Sequence, residues 1–169
     1  MTHSDFCNPS ILNVMQLETT VFRKFTAAGR TLSVAESCTG GLICERLTNV
    51  PGASSYFLMG IVAYDNLAKV KVLKVPGHLL KRHGSVSAEV ACAMARRVRL
   101  MIKADCGLSV TGIAGPGGGS RQKPVGLVFL ALSVKGRTTV KKCIFQGSRL
   151  AIRRRAAETA LKMLAQRFE

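Results

Sequence analysis

One short segment of the chain combines hydroxyl, thiol and glycine residues in an order that suits nucleophilic catalysis. It reads Ser37-Cys38-Thr39-Gly40-Gly41, directly after a β-prone stretch and directly before a run with helical periodicity. Glycines at such a turn let backbone N–H groups approach a ligand at a helix N-terminus, where the helix dipole favours negative charge. Thr39, Gly40 and Gly41 are therefore candidates for holding a phosphate or a developing oxyanion.

The nucleophile of this segment is either Ser37 or Cys38, and spacing does not choose between them. A thiolate at a helix N-terminus is activated by its position, whereas a serine hydroxyl needs a base. Tyr64 and Lys69 belong to a polar segment that follows an apolar strand. Lys69 suits the role of base if burial and nearby positive charge lower its pKa toward neutrality. The alternative interpretation is a surface lysine on an amphipathic helix.

A second glycine segment, at 114–120, follows an apolar strand predicted at 107–113. Turns at the carboxyl ends of strands are where open α/β sheets bind ligands, and both glycine segments occupy such turns. Neither contains a P-loop motif, and Ser120 stands where GxGxxG requires its third glycine. The esterase motif GxSxG also fails, since Ala35 and Thr39 replace its glycines. Nucleotide-hydrolysing and dinucleotide-binding functions are therefore disfavoured.

Metal-dependent and histidine-based chemistry have little support in the sequence. The six cysteines include no CxxC pair and no histidine at ligand spacing, so we expect no metal and no cofactor. His78 and His83 flank a short basic helix (HLLKRH) and have no recognisable carboxylate partner. The chain also begins without a signal-like segment, and its longest apolar stretch is shorter than the ~20 residues of a membrane helix. We expect a cytoplasmic protein with reduced thiols.

The residue pattern predicts ten elements that position these segments. Apolar spacing and punctuation by glycine, proline and serine predict helices at 13–28, 42–50, 66–73 and 87–103 and after Ser148, and strands at 31–35, 57–64, 107–113, 125–134 and 138–145. This order indicates an α/β domain whose sheet is covered on both faces, with a hairpin adding antiparallel strands. We expect one domain over residues 1–169, with 1–12 loosely ordered.

The charge of the chain points to an anionic partner. Its net charge is +16, and it is uneven: residues 1–68 contain four Lys/Arg and five Asp/Glu, whereas residues 69–169 contain 21 and four. A field of this size attracts phosphates and nucleic acids. A non-catalytic nucleic-acid-binding protein is therefore an alternative to an enzyme, although the absence of Trp and the two Tyr leave few side chains for base stacking.

Five motifs in this order resemble the CinA C-terminal domain family, whose stand-alone members are nicotinamide mononucleotide deamidases of the PncC type. The motifs are AESCTGG at 35–41, Tyr64-x-Asn66-x-x-Lys69, Gly84-x-Val86-Ser87, SVTGIAGPGGGS at 109–120 and Lys123-Pro124-Val125-Gly126. The resemblance covers about residues 14–168. It implies a three-layer α/β/α sandwich with a mixed sheet, no metal, and a homo-oligomer.

The resemblance also implies a reaction and a role for each site residue. The reaction is hydrolysis of the carboxamide of nicotinamide mononucleotide to nicotinate mononucleotide and ammonia. Ser37 is then the nucleophile, Lys69 its base and Tyr64 a hydrogen-bonding companion. The residues expected to hold substrate or orient the base are Thr39, Gly40, Gly41, Thr111, Gly112, Gly115, Gly118, Arg149 and Arg153.

Overall fold

A five-stranded sheet forms the centre of the molecule, described here from a computed structural model for residues 9–167, with side chains from Gln16 onward. The strands are β1 (Leu32–Glu36), β2 (Phe57–Val62), β3 (Cys106–Gly112), β4 (Leu127–Val134) and β5 (Arg137–Ile144), and their spatial order is β2-β1-β3-β4-β5. β1 is parallel to β2 and to β3, whereas β4 is antiparallel to β3 and to β5. The predicted mixed sheet is confirmed.

Six helices cover both faces of the sheet. They are α1 (Pro9–Ala27), α2 (Leu42–Thr48), α3 (Asn66–Lys71), α4 (Gly77–His83), α5 (Ala88–Met101) and α6 (Arg149–Ala165), with a 3-10 turn at Ala53–Ser55. α1, α2 and α6 pack together on one face, and α5, with α4 beside it, lies on the other. This is the expected three-layer α/β/α sandwich. Residues 1–12 are expected to be loosely ordered, and residues 1–8 of these lie outside the described residues.

Helix ends follow the signals in the sequence. The hydroxyl of Ser87 accepts a hydrogen bond from the backbone N–H of Val90 at 3.3 Å and begins α5. Ser148 does the same for Ala151 at 3.3 Å and begins α6. Gly29, with φ near +59°, adopts the left-handed conformation that ends α1. These positions require little tertiary information, which is why local pattern predicts them.

The core is divided between the two faces of the sheet. Val90, Met94 and Val98, which the sequence places on one face of α5, are fully buried against the sheet. On the opposite face, Ile152 and Leu161 of α6 pack into the larger cluster. Helices on each face of the sheet thus bury an apolar stripe against it and hold the sheet in position. The site is then formed at the ends of the strands.

The loops that carry the candidate site meet at one edge of the sheet. Because β1, β2 and β3 are parallel, their carboxyl ends lie together. β5 runs antiparallel to β4 and therefore also ends at this edge, so the chain enters α6 there. The topology thus gathers residues that are more than a hundred positions apart in sequence.

Candidate active site

Ser37 and Lys69 form a buried, hydrogen-bonded pair. The Nζ atom of Lys69 lies 3.0 Å from the Oγ atom of Ser37. The Lys69 side chain is only 2% exposed, and Ser37 is 7% exposed. Burial lowers the pKa of Lys69, because the charged ammonium loses its hydration, while the nearby Asp65 carboxylate opposes this shift. The alternative of a surface lysine is therefore wrong.

The surroundings of Lys69 favour the neutral amine. Its Nζ atom also donates to the backbone carbonyls of Ala63 and Tyr64, each at 3.1 Å. A neutral amine has two hydrogens, which the two carbonyls accept, and one lone pair, which is then directed at the Ser37 hydroxyl. This arrangement suits a base that removes the proton of Ser37. No carboxylate of the described residues forms an ion pair with Lys69.

Local structure explains why Lys69 reaches the site. The carboxylate of Asp65 accepts a hydrogen bond from the N–H of Leu67 at 2.7 Å and begins α3 at the end of β2. Lys69 lies one turn later on this helix, directed back over the strand end. Since β1 and β2 are neighbours, the turn that contains Ser37 lies opposite.

The neighbouring thiol is a poor nucleophile. Cys38 is 5% exposed, and burial raises its pKa to about 12, with the negative charge of Glu36 adding to the shift. A thiol reacts as its thiolate, so a raised pKa makes it inert. Between the two candidates that spacing left open, the geometry favours Ser37.

Tyr64 contributes to the pair through its backbone, and its side chain has a different partner. The carbonyl oxygen of Tyr64 accepts from Lys69, whereas its hydroxyl accepts from the Nη2 atom of Arg149 at 2.5 Å. Arg149 also donates to the carbonyl of Gly115 at 2.7 Å. Tyr64 thus forms the expected hydrogen bond with Lys69 through its backbone carbonyl. Its phenol is hydrogen-bonded to Arg149, which links the end of β2 to α6 and to the second glycine loop.

Two backbone amides of the first glycine turn already donate hydrogen bonds within the protein. The N–H of Gly40 donates to the carbonyl of Ser37 at 3.1 Å, and the N–H of Gly41 donates to a Glu36 carboxylate oxygen at 3.0 Å. Among the described residues, the backbone N–H groups of Cys38 and Thr39 have no acceptor in the protein. Of these two residues only Cys38 lines the cleft over Ser37, so its amide replaces those of Gly40 and Gly41 as the candidate for stabilising an oxyanion.

Arg153 supports this turn from behind and is not among the side chains that line the cleft. Its Nη2 and Nε atoms donate to the carbonyl of Thr39 at 2.7 and 3.3 Å. A Cβ atom at Gly40 would lie 3.2 Å from the Nη2 atom of Arg153, so a glycine gives the guanidinium its close approach. Gly40 also has φ near +61°, a conformation that side chains disfavour.

A cleft of about 520 Å³ opens over Ser37. Its walls come from the strand ends, the second glycine loop and the loop before α5; the sequence-predicted residues among them are Ser37, Tyr64, Lys69, Thr111, Gly112, Gly115, Gly118 and Arg149. Thr39, Gly40, Gly41 and Arg153 do not line it. Thr111 fixes the loop before α5, because its hydroxyl donates to the carbonyl of Ser85 at 2.8 Å.

Two ionisable residues near the cleft are absent from the sequence-based site. Lys123 lines the wall, where its Nζ atom donates to the carbonyls of His83 and Val86 and joins the second glycine loop to the end of α4. Glu36 lies beneath the first turn and is fully buried. Both stand inside the motifs of the sequence, but only their contacts show what they hold. Within the described part of the chain, no three His, Cys, Asp or Glu side chains gather as a metal site.

Known proteins that are similar to this chain belong to one family. A family model for the CinA C-terminal domain matches residues 14–168. A CinA-like protein of Geobacter sulfurreducens is 53% identical over 152 residues, which are 90% of this chain and 37% of the relative. A CinA-like protein of Geobacter metallireducens is 51% identical over 152 residues, with the same coverage. The chain thus spans about a third of the length of these curated relatives.

Solved structures share the fold. The crystal structure of the competence/damage inducible protein CihA from Agrobacterium tumefaciens has a TM-score of 0.87 at 40% identity, covering 89% of this chain and 93% of that one. The competence damage-inducible protein A from Klebsiella pneumoniae has a TM-score of 0.88 at 31% identity, covering 91% and 96%. No helix among residues 9–167 has the length and apolar character that a membrane crossing requires.

Proposed function

Because the chain belongs to the CinA C-terminal domain family, we propose that it is an amidohydrolase that converts nicotinamide mononucleotide to nicotinate mononucleotide and ammonia. One observation carries the proposal: the Nζ atom of a buried lysine lies 3.0 Å from a serine hydroxyl, while two carbonyls accept its remaining hydrogens. A serine with a neutral base suits acyl transfer. A cytoplasmic location agrees with the five free cysteines of the described residues.

The proposed reaction proceeds through an acyl-serine. The Oγ atom of Ser37 attacks the carboxamide carbon, and its proton passes to Lys69. The resulting oxyanion accepts a hydrogen bond from the amide of Cys38, which lines the cleft. Lys69 then returns the proton to the leaving nitrogen, the C–N bond breaks, and ammonia departs. A water molecule next attacks the ester and gives a proton to Lys69. Lys69 passes this proton to the Oγ atom of Ser37 as the C–O bond breaks, and the released acid loses its remaining proton to solvent to become the carboxylate product.

The charges of the cleft agree with an anionic substrate that carries a ring cation. The cations of Arg149 and Lys123 line the cleft together with the carboxylate of Asp65, which lies near Lys69. A phosphate is attracted to the first pair, and a pyridinium to the carboxylate. We therefore propose that Thr111, Gly112, Gly115 and Gly118, which also line the cleft, contact the substrate.

Ammonia release from nicotinamide mononucleotide tests the proposal directly. The purified chain is expected to release one ammonia for each nicotinate mononucleotide formed, and Lys69→Ala is expected to abolish this turnover. If the wild-type chain gives no turnover and instead binds DNA or RNA with a steep salt dependence, the nucleic-acid-binding alternative replaces the enzyme.

We also propose that β2 is covered by a second copy of the chain. β2 is an edge strand without a charged residue, and Leu58 and Val62 on it are 40% and 48% exposed. Such an edge invites pairing with another strand. β2 belongs to residues 1–68, whose charges nearly balance, whereas residues 69–169 are strongly basic. Electrostatic repulsion between two copies is therefore smallest if they meet at β2.

Light scattering distinguishes this interface from the other edge of the sheet. Leu58→Lys is expected to lower the oligomer mass to that of a monomer. The matched control is Val140→Lys on β5, the opposite edge strand, where the side chain is 43% exposed and lysines already stand. A monomeric wild type, or equal masses for Leu58→Lys and wild type, would contradict the proposal.

A further inference from the structure

Glu36 is the last residue of β1 and is fully buried. Alternation along a strand places Glu36 on the same face as Leu32 and Val34, which pack into the cluster beneath α1, α2 and α6. Its side chain therefore enters a core made of apolar residues. No cation of the described residues forms a salt bridge with it. A buried carboxylate in such a place needs hydrogen bonds to offset the loss of hydration.

Three backbone amides supply these hydrogen bonds. Oε2 of Glu36 accepts from Gly41 at 3.0 Å and from Ile43 at 3.2 Å, and Oε1 accepts from Cys44 at 2.8 Å. These hydrogen bonds connect Glu36, the residue before Ser37, to the first turn of α2. It closes a loop of the chain whose interior is the turn that carries Ser37.

This arrangement has a consequence for the chemistry. The amides at the start of α2 are the ones that a bound anion would otherwise use. Since Glu36 occupies them, the amide of Cys38 is the one in this turn that is left for a substrate oxyanion in the cleft. The Cys38 amide and the Ser37 hydroxyl lie within the loop that these hydrogen bonds close, with Lys69 approaching from the end of β2.

We propose that Glu36 is a positioning residue: its carboxylate, by occupying the α2 amides, holds the turn 37–41 so that Ser37 faces Lys69 and the amide of Cys38, which lines the cleft, faces the oxyanion. Glu36 itself lies outside the residues that line the cleft and does not touch substrate. The inference rests on the proposed function, because it concerns the geometry of the same acyl-transfer step.

Glu36→Gln is the sharpest perturbation, because glutamine keeps the shape and loses one acceptor. One side-chain oxygen still accepts, but the NH₂ group now meets amide donors that it cannot satisfy. The turn must shift to relieve this clash. A displacement of about 1 Å at a reacting group costs about 100-fold in rate, so we expect kcat to fall about 10- to 100-fold.

Glu18→Gln is the matched control. Glu18 is also a buried carboxylate, 3% exposed, and it accepts a hydrogen bond from the Nε atom of Arg46 at 2.6 Å, away from the cleft. Both variants are expected to lower Tm. In folded protein, only Glu36→Gln is expected to lower kcat, with KM within about twofold of wild type, because the cleft walls are intact.

The outcome that overturns the inference is a folded Glu36→Gln variant with the kcat of wild type, or with a loss equal to that of Glu18→Gln. If Glu36→Gln does not fold, Glu36→Asp is compared with Glu18→Asp; it keeps the charge and withdraws the oxygens by one methylene, and the same criterion applies. The rate of Ser37 labelling by a fluorophosphonate is measured in parallel. It reports on the turn without nicotinamide mononucleotide, so absent turnover in wild type would refute the proposed substrate alone, whereas equal labelling of wild type and Glu36→Gln would refute the role of Glu36.

Discussion

The choice between Ser37 and Cys38 gives the most discriminating prediction, because the two side chains are adjacent and differ in environment. The pKa of the Cys38 thiol is raised to about 12 by burial. At pH 7.5, a pKa near 12 leaves roughly three thiols in 10⁵ ionised, which costs about 6 kcal/mol relative to a fully formed thiolate. In the proposed mechanism Ser37 is not ionised before attack, because its hydroxyl passes its proton during attack to Lys69, whose Nζ atom lies 3.0 Å away.

Two single variants test this difference by ammonia release. Ser37→Ala is expected to lower kcat by about 10⁴-fold or more, as removal of a nucleophile does in comparable enzymes. Cys38→Ala is expected to retain kcat within about threefold and to lower stability by about 1 kcal/mol, because a small buried atom is lost. Iodoacetamide is expected to leave wild-type activity unchanged.

The opposite pattern would refute the reasoning. If Ser37→Ala retains full activity while Cys38→Ala or iodoacetamide abolishes it, the thiol is the nucleophile and burial does not keep it protonated. If both variants retain activity, the cleft over Ser37 is not the site of the reaction. Circular dichroism and Tm of each variant separate a chemical effect from unfolding.

Three further outcomes follow from the pair and its surroundings. First, kcat/KM is expected to rise with pH until Lys69 is neutral and then to level off below the ordinary lysine pKa of 10.5, since burial lowers the Lys69 pKa; a profile still rising at that pH would contradict a neutral base. Second, the unfolded chain binds the Lys69 proton more tightly than the folded one, so the free energy of unfolding of wild type, relative to Lys69→Met, is expected to rise with pH between the lowered pKa and 10.5, as measured by urea unfolding. Third, Tyr64→Phe removes the acceptor of Arg149 but leaves the carbonyl that holds Lys69, so we expect a loss of about 2- to 12-fold in kcat/KM with the same pH profile.

Local sequence signals predict most of the fold because they act over a few residues. The helix starts at Ser87 and Ser148, the end of α1 near residue 28 and the hairpin between predicted strands 125–134 and 138–145 stand where the pattern placed them. α1 begins earlier than predicted, at Pro9, since Pro is well tolerated in the first turn of a helix. The strand order has no local signal, and only packing brings β1 between β2 and β3.

The sequence predicts many residues of the site, but it says much less about which of their atoms form hydrogen bonds and with what partners. The segments that contain Ser37, Lys69 and Arg149 could be singled out because their types are unusual at strand ends or fit a motif. Which amides remain free, and that the Tyr64 phenol bonds to Arg149, depend on contacts between distant segments. A glycine pattern shows where a backbone approaches a ligand, but not which of its N–H groups the protein has already used.

Two buried ionisable residues of this site, Glu36 and Lys69, have different surroundings, and these surroundings suit different roles. Glu36 lies in a core where three backbone amides donate hydrogen bonds to its side chain and no cation of the described residues pairs with it, a setting that suits a structural role. Lys69 is buried among two carbonyls and a hydroxyl with no paired carboxylate, which favours the neutral amine. An acidic group in place of one of those carbonyls would restore the ammonium and remove the base. The lack of an ion-paired carboxylate at Lys69 among the described residues is therefore as necessary to the proposed chemistry as Lys69 itself; Asp65 lies near enough to oppose the lowered pKa but forms no ion pair with it.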